Sequence, residues 1–367
     1  MKIRTALLTA ALFAGACAPK GPIAYFDRSL PLLLWVGEFT RPSGTPYPGI
    51  PAEPPYGSIS GLAPDQTTSQ WIGVIDDRDR TRIAWLRVSY TAKGLEVVPT
   101  KMQELRAGPG LDARVVTKAD LEAIAALPNG DFVLSEEGHI VADTKEVWQP
   151  ALLQMNHDGI VTGVINFPKQ FQISGDNKTG LRDNQGFEGL AVTPGGRLIA
   201  GLEQPLIEDG MTTFDRPGAG RLIEFVPSGS TFKPGHQWRY MISPTPRVEG
   251  FEETCSDGEN GLVELLGLSE TRLISMERAC LMSKDRQFVA NAIQLFSVEL
   301  VGGEARKQLL MDFKDLEPRL RSVLPRLENF EAMTFGPIVN GMKTLLIGSD
   351  DNFRATQKTS FLLFGMR

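Results

Sequence analysis

The sequence predicts an all-β protein: a β-propeller of about five four-stranded blades, with room for a sixth, closed by an N-terminal strand. Three observations predict it. A hairpin unit recurs along the chain, in which an acid lies near the start of a short apolar strand and another acid ends the second strand. Each hairpin is followed by a further apolar strand, and in all but the last copy by a fourth strand-like stretch. The last copy therefore lacks a strand, while a spare apolar strand precedes the first copy.

The plainest copy runs Gly186-Phe187-Glu188-Gly189-Leu190-Ala191-Val192, then Thr193-Pro194-Gly195-Gly196, then Arg197-Leu198-Ile199-Ala200-Gly201-Leu202-Glu203. An antiparallel hairpin brings its open ends together, so Glu188 and Glu203 are expected at one end of the unit. With 62, 122, 188, 262 and 331 as equivalent starts, the copies lie 60, 66, 74 and 69 residues apart. A degenerate sixth copy would fit in the third interval. Start to terminal acid takes 15, 14, 15 and 15 residues in the first four copies, ending at Asp77, Glu136, Glu203 and Glu277. It takes 19 in the last, ending at Asp350, where the 339–342 turn is longer.

In chain order, residues 1–16 read as a secretory leader: basic Met1-Lys2-Ile3-Arg4, an apolar run over 6–14, and small residues up to Cys17. This resembles a bacterial lipoprotein signal in which Cys17 is the lipidated residue and 17–29 a tether. An ordinary signal peptide is the alternative. Ala18 resembles the sorting residue of lipoproteins sent to the outer membrane, which would leave the protein facing the periplasm. The propeller occupies 30–367. It begins with a strand over 30–40, where Pro31 is tolerated at the start, and a Pro- and Gly-rich loop over 41–55. Third strands are expected over 83–88, 151–155, 221–225, 292–298 and 360–364, and a fourth over 160–165. The 118–126 stretch has helical character but is assigned to the strand pattern, and 315–326 reads as a helical surface insertion. Export implies an oxidising compartment. Cys255 and Cys280 flank the fourth hairpin, so a disulfide is expected, with two buried free thiols as the alternative.

The chain is 42% hydrophobic and 22% charged, enough for a sizeable core. Its net charge of −6 argues against nucleic acid or an anionic membrane surface as a partner. Beyond the N-terminus no apolar run is long enough to cross a bilayer, so a lipid is the expected membrane attachment and a monomer the expected state.

If the hairpins are blades, their acids gather at one mouth: Asp76, Asp77, Glu122, Glu136, Glu137, Glu188, Glu203, Glu277, Glu331, Asp350 and Asp351. So many carboxylates repel one another and call for positive charge. Ca²⁺, a hard cation that takes several oxygen ligands, is one source. Arg78, Arg80, Arg182, Arg278 and Arg354 are another. The competing reading is that the acids cap backbone N–H groups of neighbouring blades and act as fasteners. Other chemistries lack a pattern. Gly57-Ser58-Ile59-Ser60-Gly61 has Ile where a nucleophile elbow needs Ser. There is no H-E-x-x-H, P-loop or dinucleotide fingerprint. Of three His, His139 lies nearest the acids and reads as an exposed loop residue.

Gly186-Phe187-Glu188-Gly189-Leu190-Ala191, Ser275-Met276-Glu277-Arg278, Asn329-Phe330-Glu331-Ala332-Met333, Ser349-Asp350-Asp351-Asn352 and Phe361-Leu362-Leu363-Phe364 together resemble the bacterial family known as esterase-like activity of phytase, over about residues 50–367. The resemblance implies an exported propeller, often a lipoprotein, that hydrolyses phosphate esters or carboxylic esters. In propeller phytases, acids at one mouth hold several Ca²⁺ ions that bind substrate phosphates and activate water. Their ligand motifs do not match this chain residue by residue. The expectation is a Ca²⁺-dependent hydrolase of small phosphate esters. Glu188, Glu203, Glu277, Glu331, Asp350 and Asp351 are its expected metal ligands. Glu188, Glu331 and Arg278 are the expected catalytic groups, and Arg182, Arg278 and Arg354 the substrate-binding ones. The alternatives are a non-catalytic ligand-binding or scaffold lipoprotein of the envelope, and a metal-independent esterase.

Overall fold

The predicted hairpins form five four-stranded units in a computed structural model that describes residues 30–175, 178–248, 257–285, 287–316, 319–320, 322–323 and 326–367. The leader, the tether, Cys17 and Cys255 lie outside the described residues. Pro31–Arg367 is one compact unit.

Blade 1 comprises Ile59–Asp65, Gln70–Ile75, Arg82–Thr91 and Gly94–Glu104. Blade 2 comprises Leu121–Ala126, Phe132–Glu136, Ala151–Met155 and Ile160–Asn166, with Arg106–Ala107 added in parallel at its outer edge. Blade 3 comprises Phe187–Val192, Leu198–Leu202, Gly218–Ser228 and Thr231–Ile242. Blade 4 comprises Asp257–Gly267, Arg272–Met282, Phe288–Val301 and Glu304–Asp312. Blades 3 and 4 form one eight-stranded sheet, but only Arg239↔Glu304 and Tyr240↔Ala305 join their outer edges, so it is two blades touching. Blade 5 comprises Asn329–Phe335, Thr344–Asp350 and Lys358–Met366, completed by the N-terminal strand Leu33–Pro42 running antiparallel to the last strand.

The innermost strands touch in turn, from blade 1 through blade 5 and back to blade 1, which closes the ring. The third interval holds no sixth blade among the described residues. It is taken up by the long third and fourth strands of blade 3 and a 3₁₀ turn at Ile207–Asp209.

The core explains the apolar runs. Among the described residues it is chiefly five layers, one in each seam between blades, with a small further cluster at Leu281, Val289 and Ala290. Ile72, Val74 and Leu134 fill the blade 1–2 seam, Leu152, Phe187 and Ile223 the blade 2–3 seam, and Ile199, Leu265 and Val298 the blade 3–4 seam. Ile274, Phe330 and Leu362 fill the blade 4–5 seam, and Ile59, Leu346 and Phe361 the blade 5–1 seam. A blade buried on both faces cannot alternate apolar with polar residues, so Leu198–Leu202 is buried at every position. Each such side chain contributes roughly 1.5–3 kcal/mol through burial.

Two local features shape the inner hairpins. Gly196, at φ +81°, closes the Thr193–Arg197 turn in a conformation that other residues rarely adopt. At Gly61 a Cβ would lie 2.7 Å from Ala123 Cα and 2.8 Å from the Glu122 carbonyl oxygen, so blades 1 and 2 meet backbone to backbone just below the acids. The 118–126 stretch is a strand from Leu121 onward, as assigned. The helical insertion expected at 315–326 is not seen among the described residues there. They form a 3₁₀ turn at Phe313–Leu316 and further turns, and Leu316, Leu320 and Val323 are buried against blades 4 and 5. Those apolar side chains are core rather than surface, which is why the helical period misled. No helix of the described residues is long and apolar enough to cross a membrane.

Candidate functional site

Every inner strand carries a β-bulge, within the first few residues in blades 1, 2, 3 and 5 and midway along the longer strand of blade 4. The pairing with the second strand skips between Ile59 and Gly61, Leu121 and Ile124, Phe187 and Gly189, Leu262 and Glu264, and Phe330 and Ala332. A bulge re-aims the residue it ejects from the ladder. The ejected positions are Ser60, Glu122, Glu188, Val263 and Glu331, with Ala123 sharing the bulge of blade 2. A second set of equivalent positions lies where the second strand reaches the same end. The Asp76, Glu137 and Glu203 amides donate to the Ser58, Asp120 and Gly186 carbonyls, and Arg278 and Asp350 pair with Gly261 and Asn329. Two rings of five positions result. Blades 1, 2, 3 and 5 supply seven carboxylates to them. Blade 4 alone supplies none: it has Val263 and Arg278 where its neighbours have Ser or acids.

The rings open into a cavity of about 640 Å³ lined by Asp76, Glu122, Glu188, Glu203, Arg278, Glu331 and Asp350, with Asn184, Gln185, Asn329 and Asn352 around them and Arg78, Arg326 and Arg354 at its walls. Arg278 is the pivot. Its Nη2 lies 2.7 Å from Glu331 Oε1, 3.8 Å from Glu203 Oε1 and 4.0 Å from Glu188 Oε1. Its Nε has no hydrogen-bond partner, and the three carboxylates hold the guanidinium charged against burial. Glu137 lies beneath, accepting a 2.9 Å bond from the Gly186 amide through Oε1 while Oε2 has no partner.

One guanidinium does not balance so many acids. Burial first, then mutual repulsion, pushes Asp76, Glu122, Glu137 and Glu188 well above the usual carboxylate range. Glu203 and Glu331 are pushed up to about 7 by burial, with Arg278 pulling the other way. Two groups of oxygens close to within 4.8 Å of one another: Glu137, Glu188 and Glu203, and Asp76, Asp120 and Glu122. Buried oxygens without partners, Glu188 Oε2 and Glu137 Oε2 in the first group and Asp120 Oδ1 in the second, are what a hard cation with oxygen ligands would satisfy. The residues present fit such an ion.

The structure gathers Glu188, Glu203, Glu331, Asp350, Arg278 and Arg354 at this cavity, together with Asp76, Arg78 and Glu122. It places three other expected groups, Glu277, Asp351 and Arg182, elsewhere. Glu277 points into the seam between blades 3 and 4. There its Oε1 takes a 2.7 Å bond from the Tyr240 hydroxyl and the Lys307 ammonium. Its Oε2 takes 3.0 Å bonds from the Ser243 amide and Asn260 Nδ2. Adjacent strand residues face opposite sides, so the step from Arg278 to Glu277 moves the carboxylate from the channel into the seam. Asp351 is fully buried and accepts from the Ser58 and Phe353 amides and the Thr359 hydroxyl, latching blade 5 to blade 1. This is the fastener role. Arg182 spends its donors on the Pro205, Leu206 and Ile207 carbonyls and braces the loop after Glu203. The Cys255–Cys280 pairing falls outside the described residues, and within them Cys280 is a free thiol on the cavity wall.

Among the remaining acids, Asp77 binds Arg82 at 2.6 Å, and Glu136, pushed up to about 8 by burial, accepts from the Gly138 amide. His139 is buried and stacked on Trp148 rather than exposed. Sequence reasoning missed Asp120, two residues before the bulge of blade 2. A start placed at the apolar residue before each bulge would have aligned it with Ser58, Gly186, Gly261 and Asn329 and singled it out.

Glu277 gives a separate test of the seam. Glu277→Ala leaves the Lys307 ammonium buried without its carboxylate, and the expected cost is roughly 3 kcal/mol of stability. Chemical denaturation measures it, and cation binding at the mouth should not change.

The other end of the channel is a hollow of about 370 Å³ lined by Leu62–Pro64, Ile124–Ala126, Leu190–Pro194 and Met333–Phe335, with no charged side chain. Glu264 separates the two ends. It is buried, and its Oε1 accepts from the Leu190 and Leu265 amides, which stitches blade 3 to blade 4. Charge chemistry therefore belongs to the acidic mouth.

The sequence profile described as "Phytase-like: Esterase-like activity of phytase" matches residues 54–353. No curated protein matches the chain in sequence. Among solved structures, a gluconolactonase from Xanthomonas campestris (XC5397) overlaps with TM-score 0.33 at 11% identity, covering 96% of this chain and 99% of that one. YCF48 bound to D1 peptide overlaps with TM-score 0.33 at 10% identity, covering 90% and 94%. The catalytic domain of a GH62 α-L-arabinofuranosidase from Coprinopsis cinerea overlaps with TM-score 0.35 at 9% identity, covering 92% and 98%. Overlaps this loose carry no argument about function.

Proposed function

Because the chain belongs to the phytase-like family described as esterase-like activity of phytase, we propose that it is a Ca²⁺-dependent hydrolase of small phosphate esters working at the acidic mouth. One observation carries this reading: Asp76, Glu122, Glu188, Glu203, Glu331 and Asp350, six carboxylates from blades 1, 2, 3 and 5, line one cavity with Glu137 beneath them, and blade 4 supplies Arg278 together with Glu259. Glu277 and Asp351 are paired off on both oxygens, whereas Glu188 and Glu137 at the mouth each retain an unpartnered oxygen and a raised proton affinity.

Glu137, Glu188 and Glu203 would hold the ion. A bound Ca²⁺ would supply positive charge against phosphoryl oxygens and lower the pKa of water. The chain's own groups do the rest. Arg278 is fixed by Glu331 and keeps Nε free to donate to a phosphoryl oxygen. Glu331, poised at about 7, suits proton transfer to a leaving alkoxide near neutral pH. Arg354 at the wall attracts an anion, and Asn184, Gln185 and Asn352 offer amides to a hydroxyl-bearing substrate.

Hydrolysis of phosphomonoesters by the purified mature protein, assayed with Ca²⁺ and with EGTA, tests the proposal. Activity should appear with Ca²⁺ and vanish in EGTA. Ca²⁺ binding without turnover on a broad ester panel would leave a binding protein, and no Ca²⁺ binding at all would end the metal reading. Export by the 1–16 leader and lipidation of Cys17 belong to the same proposal. Labelling by a palmitate analogue should be lost in Cys17→Ser, and unchanged labelling would refute the anchor.

A further inference from the structure

We propose that the seam between blades 1 and 2 carries a second divalent-cation site, formed by Asp76, Asp120 and Glu122, in which Arg78 is a built-in cation that the metal displaces. Its oxygens form a different group from the neighbouring Glu137–Glu188–Glu203 cluster, and it rests on the reading above only for the class of ligand. Its carboxylate oxygens lie within 4.8 Å of one another. Asp120 has no exposed surface, and its Oδ1 has no hydrogen-bond partner. Its other oxygen faces Arg78 Nη2 at 2.6 Å. The pocket thus holds positive charge now, but from a side chain that is 44% exposed. A guanidinium in that place satisfies one oxygen of Asp120 and leaves the other bare. A compact hard cation could take oxygens from all three residues. The donor set is all carboxylate, which suits Ca²⁺, Mg²⁺ or Mn²⁺ rather than a soft metal.

Displacement has a consequence for the mouth. Arg78 lines the same cavity as Arg278 and Arg354. Released from Asp120, its guanidinium becomes free to bind an anion there. Cation loading would then raise the affinity of the cavity for phosphate by moving a charge already present. The exchange also explains why an acid without exposed surface is paired to an arginine that is half in solvent. A permanent buried ion pair would be expected to enclose both partners.

Calorimetric titration of the full mature chain with Ca²⁺ tests this. The wild type should bind two ions, and Asp120→Asn one. Glu188→Gln should lose the other ion and keep the one at Asp120. Arg78→Ala removes the competitor and should tighten the second site by about fivefold, the strength of an ion pair with an exposed partner. Asp76→Asn, at a partly exposed position, serves as a second variant should Asp120→Asn fail to fold. A single ion in the wild type that Glu188→Gln abolishes and Asp76→Asn leaves intact overturns the second site while preserving the first. Weaker or unchanged Ca²⁺ binding in Arg78→Ala overturns the displacement. A wild type that binds no ion removes both sites.

Discussion

Replacing Glu188 with Gln should abolish Ca²⁺ binding at the Glu137–Glu188–Glu203 cluster and leave the propeller folded. Glu188 is ejected by the bulge of blade 3, is buried, and offers an oxygen with no protein partner. Outer-sphere partners of metal ligands cost 10–100-fold in affinity when removed, so loss of a ligand itself should cost roughly 100-fold or more. Hydrolysis should fall with it. The stability readout separates this role from a structural one. Glutamine keeps the shape and removes a carboxyl crowded by Glu203, Glu331 and Glu137. The metal-free variant should therefore melt no lower than the metal-free wild type at pH 8, while the rise in Tm on adding Ca²⁺ shrinks to the part that the Asp120 group supplies. A fastener acid would behave the other way, losing Tm in EGTA and keeping the Ca²⁺-induced shift.

The metal-free protein should lose stability as the pH rises from about 5 to 8. An acid whose folded-state pKa is raised keeps its proton in the fold after the unfolded chain has released it. Its contribution is complete below the unfolded value and is lost as the pH climbs through the folded one. For Glu203 and Glu331 that window runs from 4.5 to about 7. Asp76, Glu122, Glu137 and Glu188, raised further, extend it upward. One isolated acid shifted across that window corresponds to roughly 3 kcal/mol. Acids that share a site do not add, so a total of several kcal/mol and a drop in Tm on the order of 10 °C are expected. Calcium should reverse the trend, because it binds the deprotonated form and its affinity rises over the same window. Differential scanning calorimetry in EGTA and in Ca²⁺, between pH 5 and 8.5, measures both. A flat or rising curve in EGTA would show that the mouth acids are already neutralised by the protein.

Much of this was legible in the sequence because a repeat states its own geometry. The hairpin spacing, the apolar runs buried on both faces, and the spare strand ahead of the first copy specify a ring of blades closed by Leu33–Pro42. Glu188 and Glu203, fifteen residues apart across a Pro-Gly-Gly turn, read correctly as neighbours at one end. Within the expected ligand set, two acids went astray by one residue. Glu277 was counted beside Arg278 and Asp351 beside Asp350, because strand periodicity tells which residues share a face but not which face is the channel. Choosing that face takes the bulge, and a bulge has no composition of its own. Ser60, Glu122, Glu188, Val263 and Glu331 share a place in the ladder and little else.

The amino-acid order by itself determined the blades, their closure and the excess of acid at one rim. All of these follow from local pairing and from burial that each repeat carries within itself. Only the tertiary structure decided which acids stay unpaired. Asp351 and Glu277 meet donors from neighbouring blades, whereas Glu188 and Glu137 retain bare oxygens in one group of acids and Asp120 retains one in another. Partners for a carboxylate come from segments distant in the chain, and no spacing rule within one copy can count them.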